Sequence, residues 1–161
     1  MDIGDITIRI MADGLVVPIV LIAAWAMLFK VPKKARFERI ARGTIAGLVA
    51  LFFAKCISLL YQDGERPFAL LGVQPKAAYL NNPGFPSDHV LFVFTITLVV
   101  WVSTKNKKLG LTLLILSTLV AVGRVVALVH TPMDVFGGLL CACAAALLVY
   151  GRRLFTTQLP R

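Results

Sequence analysis

Charged side chains are scarce in this sequence, and acidic ones most of all. Of 161 residues, 16% are charged and only eight are Asp or Glu, whereas 58% are hydrophobic and the mean hydropathy is +0.84. A soluble domain of this size carries far more charge, so that class is excluded. The ten-residue alternating pattern of an outer-membrane barrel is also missing. The composition therefore indicates an integral membrane protein whose spans are helices.

Cysteine is rare as well, and a signal peptide is not apparent. Cys56, Cys141 and Cys143 all lie in apolar runs, with no histidine or carboxylate at metal-ligand spacing around them. We interpret them as small helix-packing residues rather than as a disulfide or a metal site. The apolar run after residues 1–13 is longer than a signal-peptide core, so cleavage is not expected. Residues 1–13 form either an interfacial helix or an extension of the first span.

Long apolar runs are what the sequence has in abundance. Five of them approach the roughly 20 residues that cross a hydrocarbon core about 30 Å thick. We therefore predict an all-α fold, a polytopic transmembrane helical bundle of five clear spans, to which residues 1–13 add a short N-terminal helix if they fold separately. In the absence of a repeat or a linker, residues 1–161 are predicted to form a single membrane-embedded domain. The runs cover 14–29, 43–61, 89–102, 109–128 and 133–150.

The basic residues are distributed unevenly between the two sides of this bundle. Lys and Arg number seventeen, and twelve of them fall on one side. The positive-inside rule makes that side cytoplasmic, with the N-terminus outside and the C-terminus in the cytoplasm. Attraction to anionic headgroups accounts for these charges, so no nucleic-acid partner is predicted. The twelve are Lys30, Lys33, Lys34, Arg36, Arg39, Arg42, Lys105, Lys107, Lys108, Arg152, Arg153 and Arg161.

Three polar clusters occupy the opposite side, each where a span meets the surface. A charge near the end of an apolar helix is expensive, so Lys55 and Arg124 indicate a functional site unless they snorkel to the headgroups. The third and fifth spans both begin on this side, and their positive dipole ends favour an anion. The clusters are Lys55 with Arg66 in "GERPF", then Ser87, Asp88 and His89 in "FPSDH", and then Arg124, His130 and Asp134 in "GRVVALVHTPMD".

Helix capping is the competing interpretation for the hydroxyls and for one carboxylate. Ser87 stands where it can cap the third span. Thr131 stands where it can cap the fifth, with Pro132 at the first helical position and Asp134 three residues after the cap, as in a capping box. Capping and a role in chemistry both remain open for these residues.

The combination of side chains on this side predicts phosphoryl chemistry. Guanidinium and ammonium groups together with two helix N-termini bind a phosphate. One imidazole can then attack phosphorus while the other protonates the leaving oxygen. Asp134 is close enough in sequence to His130 to accept its other ring N–H and hold the tautomer. The pattern favours a phosphatase that works without a metal.

The order of these motifs resembles the type 2 phosphatidic acid phosphatase superfamily, whose pattern runs K-x6-R-P, P-S-G-H and S-R-x5-H-x3-D. The resemblance covers roughly residues 55–134. It implies a membrane phosphatase with no metal cofactor and a phosphohistidine intermediate. It also implies roles for single residues: His130 as nucleophile, His89 as general acid, Asp134 as the partner of His130, and Arg66, Arg124 and Ser87 as phosphate ligands.

The sequence departs from that pattern at three positions. Ten residues rather than six separate Lys55 from Arg66, and Lys76 lies on the wrong side of Arg66 to replace it. Gly123 stands where the family has a serine before the arginine. Asp88 stands where the family has glycine, and "FPSDH" after "RPF" resembles the bacterial undecaprenyl-diphosphate phosphatases of the bacitracin-resistance type. Asp88 and Lys55 are accordingly included among the predicted phosphate-binding residues.

The predicted substrate is a lipid phosphate or diphosphate in the cell membrane, with undecaprenyl diphosphate favoured. Phosphatidic acid or phosphatidylglycerol phosphate is the alternative, and a haloperoxidase or a non-catalytic membrane adaptor are more remote ones. Membrane lipids are the other expected partners, and the oligomeric state stays open. The connector 63–86 contains "PFALLGV" and "AAYL" and is either a segment in the outer interface beside the site or an ordinary amphipathic loop.

Overall fold

The computed structural model describes residues 2–61, 64–80 and 84–156. Residues 152–156 are described by their backbone alone. Every regular element in these ranges is helical, as the composition predicts for backbone that must satisfy itself in lipid. The predicted polytopic all-α bundle is confirmed. The elements are α1 (Ile3–Arg9), a π-helical turn (Ile10–Gly14), α2 (Val16–Phe29), α3 (Lys33–Leu60), α4 (Pro67–Leu70), α5 (Asp88–Thr104), α6 (Lys107–Val126) and α7 (Pro132–Thr156).

Four of the five predicted spans correspond to helices of full crossing length, and the fifth is a shorter apolar helix. Among the described residues, four helical segments are long and apolar enough to cross a membrane. Helix α5 is apolar but has 17 residues, about 25 Å at 1.5 Å per residue, which is at the lower limit of the length that crosses a membrane. It begins only after Pro86 and Ser87 and ends where Lys105 adopts a left-handed conformation, with φ of 55°. The four segments are Ile3–Phe29, Lys33–Leu60, Lys107–Val126 and Pro132–Gly151.

The N-terminal residues extend the first span rather than forming a separate interfacial helix. Helices α1 and α2 are joined by the π-helical turn Ile10–Gly14, so the helical path runs from Ile3 to Phe29. The N–H of Leu15 donates to the carbonyl of Ile10 at 2.9 Å, the i to i+5 bond of a π-helix. Such turns are frequent at functional sites, and this one lies at the end of the bundle that holds the predicted site.

Helix α5 lies at the centre of the bundle and contacts α2, α3, α6 and α7. Its buried Val90, Val93 and Val100 contribute to the main core together with residues of α2 and α6. Helices α3 and α7 approach through small side chains, among them Ala54 and Cys141, as expected for helix packing in lipid. All three cysteines are free thiols.

Helix direction separates the two ends of the molecule. The turns from α2 to α3 and from α5 to α6 lie at the basic end, where the Asn106 side chain caps α6 by accepting from the N–H of Leu109 at 3.1 Å. The connections from α3 to α5 and from α6 to α7 lie at the other end, with the predicted site. Of the basic residues used for the topology prediction, Arg161 lies outside the described residues, and Arg152 and Arg153 are described by backbone alone.

Candidate active site

A small cavity at this end brings five of the eight predicted site residues together. Its volume is about 150 Å³, and it lies among the N-terminus of α5, the C-terminus of α6 and the segments that precede α4 and α7. Both imidazoles and both predicted arginines therefore face one space that can hold a phosphate group. The five are Arg66, Asp88, His89, Arg124 and His130.

Asp134 lies directly behind His130, and the two are buried together. Nδ1 of His130 is 3.2 Å from Oδ2 of Asp134, a hydrogen-bond distance that leaves Nε2 as the ring nitrogen available to a substrate. The same Oδ2 accepts from the N–H of Thr131 at 2.8 Å, and the N–H of Asp134 donates to the Thr131 hydroxyl at 3.2 Å. The predicted capping box is therefore present, and one carboxylate serves both the cap and the imidazole.

Burial sets the protonation of His130. Removal from water lowers the pKa of His130, and the hydrogen bond that His130 donates to Asp134 opposes that shift without cancelling it. The neutral ring is consequently favoured at neutral pH. A neutral imidazole whose Nδ1–H is held by a carboxylate presents a lone pair on Nε2, which is the form that a nucleophile requires.

Arg66 anchors the segment before α4 to the site. Its Nη1 donates to the carbonyl of Val129 at 2.6 Å and its Nη2 to the carbonyl of Leu80 at 3.0 Å, while the guanidinium lies 5.4 Å from the centre of the Tyr79 ring. Burial lowers the pKa of Arg66, but a guanidinium stays charged throughout the ordinary pH range. Arg66 therefore places a fixed positive charge beside His130.

Arg124 is the most deeply buried charge in the site and pairs with a residue that the sequence analysis missed. Its side chain is 2% exposed, and its Nη1 donates to Oδ1 of Asp13 at 2.6 Å. The same Asp13 oxygen lies 3.7 Å from Nε2 of His89. The signal that would have found Asp13 is its position, since a carboxylate inside an apolar helical run is costly and indicates a buried partner.

Ser87 occupies the N-cap position of α5, but the predicted cap hydrogen bond is absent. Its side chain makes no bond to the first turn, and Oγ is buried with no hydrogen-bond partner in the part of the chain that the structure describes. The first turn of α5 is instead tied to α7, because the N–H of Ser87 donates to the carbonyl of Asp134 at 2.9 Å. Ser87 itself does not line the cavity, although its neighbours Pro86 and Asp88 do.

Lys55 and Lys76, the two candidates for the family lysine, lie outside the small cavity. Lys76 forms an ion pair with Asp5 at 2.9 Å on the outer surface. Lys55 is exposed near the end of α3 and lines a larger groove that also includes Asp88 and His89. Lys55 is thus placed next to the site without being part of the cavity.

Comparison with known proteins identifies the family to which this arrangement of motifs belongs. The model of the PAP2 superfamily matches residues 43–156, more than two thirds of the chain. The chain belongs to the PAP2 superfamily. It is similar to the bacitracin transport permease protein BcrC of Bacillus licheniformis, with 33% identity over 66% of this chain and 51% of that protein. It is also similar to the undecaprenyl-diphosphatase BcrC of Bacillus subtilis (strain 168), with 29% identity over 66% of this chain and 53% of that protein.

These relatives are longer than the region they share with this chain. The chain spans about half the length of the two BcrC proteins. No solved structure matches the chain. The PAP2 match covers most of α3 and all of α4 to α7, whereas α1, the π-helical turn and α2 precede it.

The larger groove begins at Asp88 and His89 and extends along the apolar part of the bundle. It lies between α2, α3 and α5, has a volume of about 1040 Å³, and shares Asp88 and His89 with the small cavity. Its walls are otherwise mostly apolar. The backbone of Gly47 leaves open space at the wall, since a Cβ there would meet nothing within 4 Å.

The connector between α3 and α5 packs against the site. The N–H of Phe68 donates to the carbonyl of Leu128 at 3.0 Å, and that of Lys76 to the carbonyl of Ala127 at 3.3 Å. Ala77 is buried in a small cluster that includes Ala127. The described part of the predicted connector 63–86 is therefore an ordered wall of the site, while residues 63 and 81–83 lie outside the described residues.

Proposed function

We propose that the protein is a membrane lipid phosphatase that converts undecaprenyl diphosphate to undecaprenyl phosphate through a phosphohistidine on His130. The observation that carries this proposal is the single cavity shared by His130, His89, Arg66 and Arg124, with Asp134 bound to Nδ1 of His130. Membership of the PAP2 superfamily and the name of the Bacillus subtilis relative support the reaction and the substrate.

Two steps account for the reaction. In the first, Nε2 of His130 bonds to the terminal phosphorus, the bond from phosphorus to the bridging oxygen breaks, and His89 gives its proton to that oxygen. Arg66 and Arg124 stabilise the charge on the phosphoryl oxygens. In the second, neutral His89 takes a proton from water as the water oxygen attacks phosphorus. The P–N bond then breaks, inorganic phosphate leaves, and both histidines are restored. No metal enters this scheme.

The apolar groove supports a lipid rather than a soluble phosphate ester. A polyprenyl chain lying between α2, α3 and α5 brings its diphosphate to His89, where Lys55 and Asp88 flank the head group. Lys55 is then available to the phosphate that stays on the lipid. The charge distribution supports a site on the extracytoplasmic face, because the basic turns lie at the other end of the helices.

Phosphate release by the purified protein in detergent tests this function. We expect the wild type to release phosphate from undecaprenyl diphosphate with EDTA present. His130→Ala should be inactive, whereas His89→Ala should retain activity only toward esters with good leaving groups. A preference for phosphatidic acid would move the assignment to the glycerolipid phosphatases, and full activity of His130→Ala would exclude the phosphohistidine mechanism.

A further inference from the structure

Asp13 is the acidic residue of the π-helical turn Ile10–Gly14 and lies outside the region matched by the PAP2 superfamily. Its carboxylate nevertheless reaches the cavity residues. It is the only side chain among the described residues that forms a salt bridge with Arg124. A carboxylate brought from a separate helix to a buried arginine of the phosphate site requires a physical explanation.

The carboxylate of Asp13 forms a closed ring with Arg124 and the connector. Nη1 of Arg124 donates to Oδ1 of Asp13 at 2.6 Å and to the carbonyl of Ala78 at 2.8 Å. The N–H of Ala78 donates to Oδ2 of Asp13 at 2.8 Å. The π-helical turn and the connector, both distant in sequence from α6, therefore hold Nη1 of Arg124 in place. His89 stays outside the ring, because 3.7 Å from its Nε2 to Oδ1 exceeds a hydrogen bond.

The ring determines which edge of the guanidinium remains for a ligand. Both hydrogen bonds of Arg124 use Nη1, while Nε is buried and has no hydrogen-bond partner within the described residues. An arginine binds phosphate best through two parallel N–H groups. With Nη1 committed, the pair formed by Nε and Nη2 is the edge left for two phosphate oxygens.

Gly123 is what lets the π-helical turn come close enough. A Cβ on Gly123 would lie 2.7 Å from the backbone nitrogen of Ala12 and 2.8 Å from the carbonyl carbon of Met11, so any side chain would push the turn away. The family serine that Gly123 replaces would not fit here. The close backbone contact between α6 and the turn thus requires glycine at position 123 and brings the turn that carries Asp13 beside Arg124.

We propose that Asp13 is a positioning residue of the phosphate site, which holds Nη1 of Arg124 so that the Nε and Nη2 edge receives the phosphoryl oxygens. This inference rests on the proposed function for its substrate. The first span of this chain then takes part in the phosphate site, and its close contact with α6 explains why glycine stands at position 123. The ligand is the phosphoryl group, and inorganic phosphate is its simplest probe.

Asp13→Asn is the first test, with Asp5→Asn as the matched control. Both carboxylates lie on the same helical segment and pair with a cation, but Asp5 pairs with Lys76 at the surface. Loss of the charged hydrogen bonds should lower kcat/KM and the affinity for inorganic phosphate by about 10- to 100-fold in Asp13→Asn. Asp5→Asn should stay within about twofold of the wild type, as exposed ion pairs contribute little.

A double-mutant cycle separates positioning from a general structural role. Once Arg124→Lys has removed the guanidinium fork, Asp13→Asn should cause little further loss, whereas a structural role predicts that the two losses multiply. Asp13→Glu is the second variant, since it keeps the counter-charge for buried Arg124 and so protects folding. Its shifted carboxylate should still cost about 10-fold in kcat/KM.

Each readout can overturn the inference separately from the proposed function. If the wild type hydrolyses no lipid phosphate, the proposed function is wrong, and phosphate affinity, measured by thermal stabilisation, still tests Asp13. If the wild type is active and Asp13→Asn or Asp13→Glu matches it, Asp13 has no positioning role. Tighter phosphate binding by Asp13→Asn would also overturn the inference, because it would make Asp13 a competitor of the phosphate.

Discussion

Single residues in this site carry two tasks at once, and Asp134 is the clearest case. One of its oxygens receives both the cap hydrogen bond from Thr131 and the ring of His130. The cap fixes the carboxylate at the start of α7, and the fixed carboxylate holds the imidazole. Helix stability and the orientation of the His130 ring therefore depend on the same atom, although they are separable by substitution.

Substitutions at the two ends of the capping box should separate these tasks. Asp134→Asn keeps an acceptor for the cap but loses the charge that holds His130, so we expect kcat to fall by about 10³- to 10⁴-fold. Thr131→Ala removes the cap hydroxyl, which should cost about 1 kcal/mol of stability, or about 2–4 °C in Tm, with a much smaller loss of kcat. Activity assays and thermal unfolding in detergent measure both. Equal effects of the two variants on kcat would contradict the division of roles.

His130 should set the acid limb of the pH dependence. Its pKa is lowered by burial, so protonation, which removes the nucleophilic lone pair, sets in only below the ordinary value of about 6.5. The acid limb of kcat/KM should lie below that value and move further down in Asp134→Asn, which loses the opposing interaction. Stability should follow the same sign: below about pH 6.5 the unfolded chain binds more protons than the folded one, and unfolding becomes easier. An acid limb above 6.5 would contradict this account.

At the scale of elements, the short helix α5 and the first span shape the site. Helix α5 begins at the cavity and forms one wall of the groove, so its first residues belong to both. The π-helical turn allows the first span to present Asp13 toward α6 while α2 continues along the groove. The arrangement places one end of the apolar groove directly beside the cavity.

Filling the groove should distinguish lipid substrates from small ones. Gly47→Phe places a ring in open space between α3 and its neighbours, so kcat/KM for undecaprenyl diphosphate should fall by about 10-fold or more. Activity on a small soluble phosphate ester should be unchanged, because the cavity around His130 is not touched. Ile45→Phe, on the exposed part of α3 and away from the groove, is the control. Parallel losses on both substrates in Gly47→Phe would argue against a tail site.

At the scale of the whole molecule, the separation of charge predicts orientation. Positive turns lie at one end of the helices and the cavity at the other, so the cavity should open outside the cell. In a variant without native cysteines, Lys76→Cys should react with an impermeant thiol reagent added to intact cells, and Lys107→Cys should react only after permeabilisation. The reverse pattern of labelling would place the site on the cytoplasmic side.

Much of this molecule is determined locally, and those features follow from the sequence by itself. Apolar runs of crossing length require helices in lipid. The motifs around His89 and His130 lie at helix starts, where Pro86 precedes α5, Pro132 begins α7 and Thr131 caps α7. His130 and Asp134 are four residues apart in sequence, across the start of α7, so their contact is also a local property. The membrane class, the helical bundle and the grouping of the motifs at one end were therefore predictable.

Only the tertiary structure decided the contacts that depend on how helices rotate and approach. Asp13 and Arg124 are 111 positions apart, and hydropathy contains no information on which face of the first span meets α6. Backbone contact at Gly123 decides that face, and the position of Lys55 beside the groove likewise follows from the packing of α3 against α5. The sequence determined which side chains reach the end of the bundle, and packing determined which of them share a cavity, because close approach is set jointly by the surfaces of two helices.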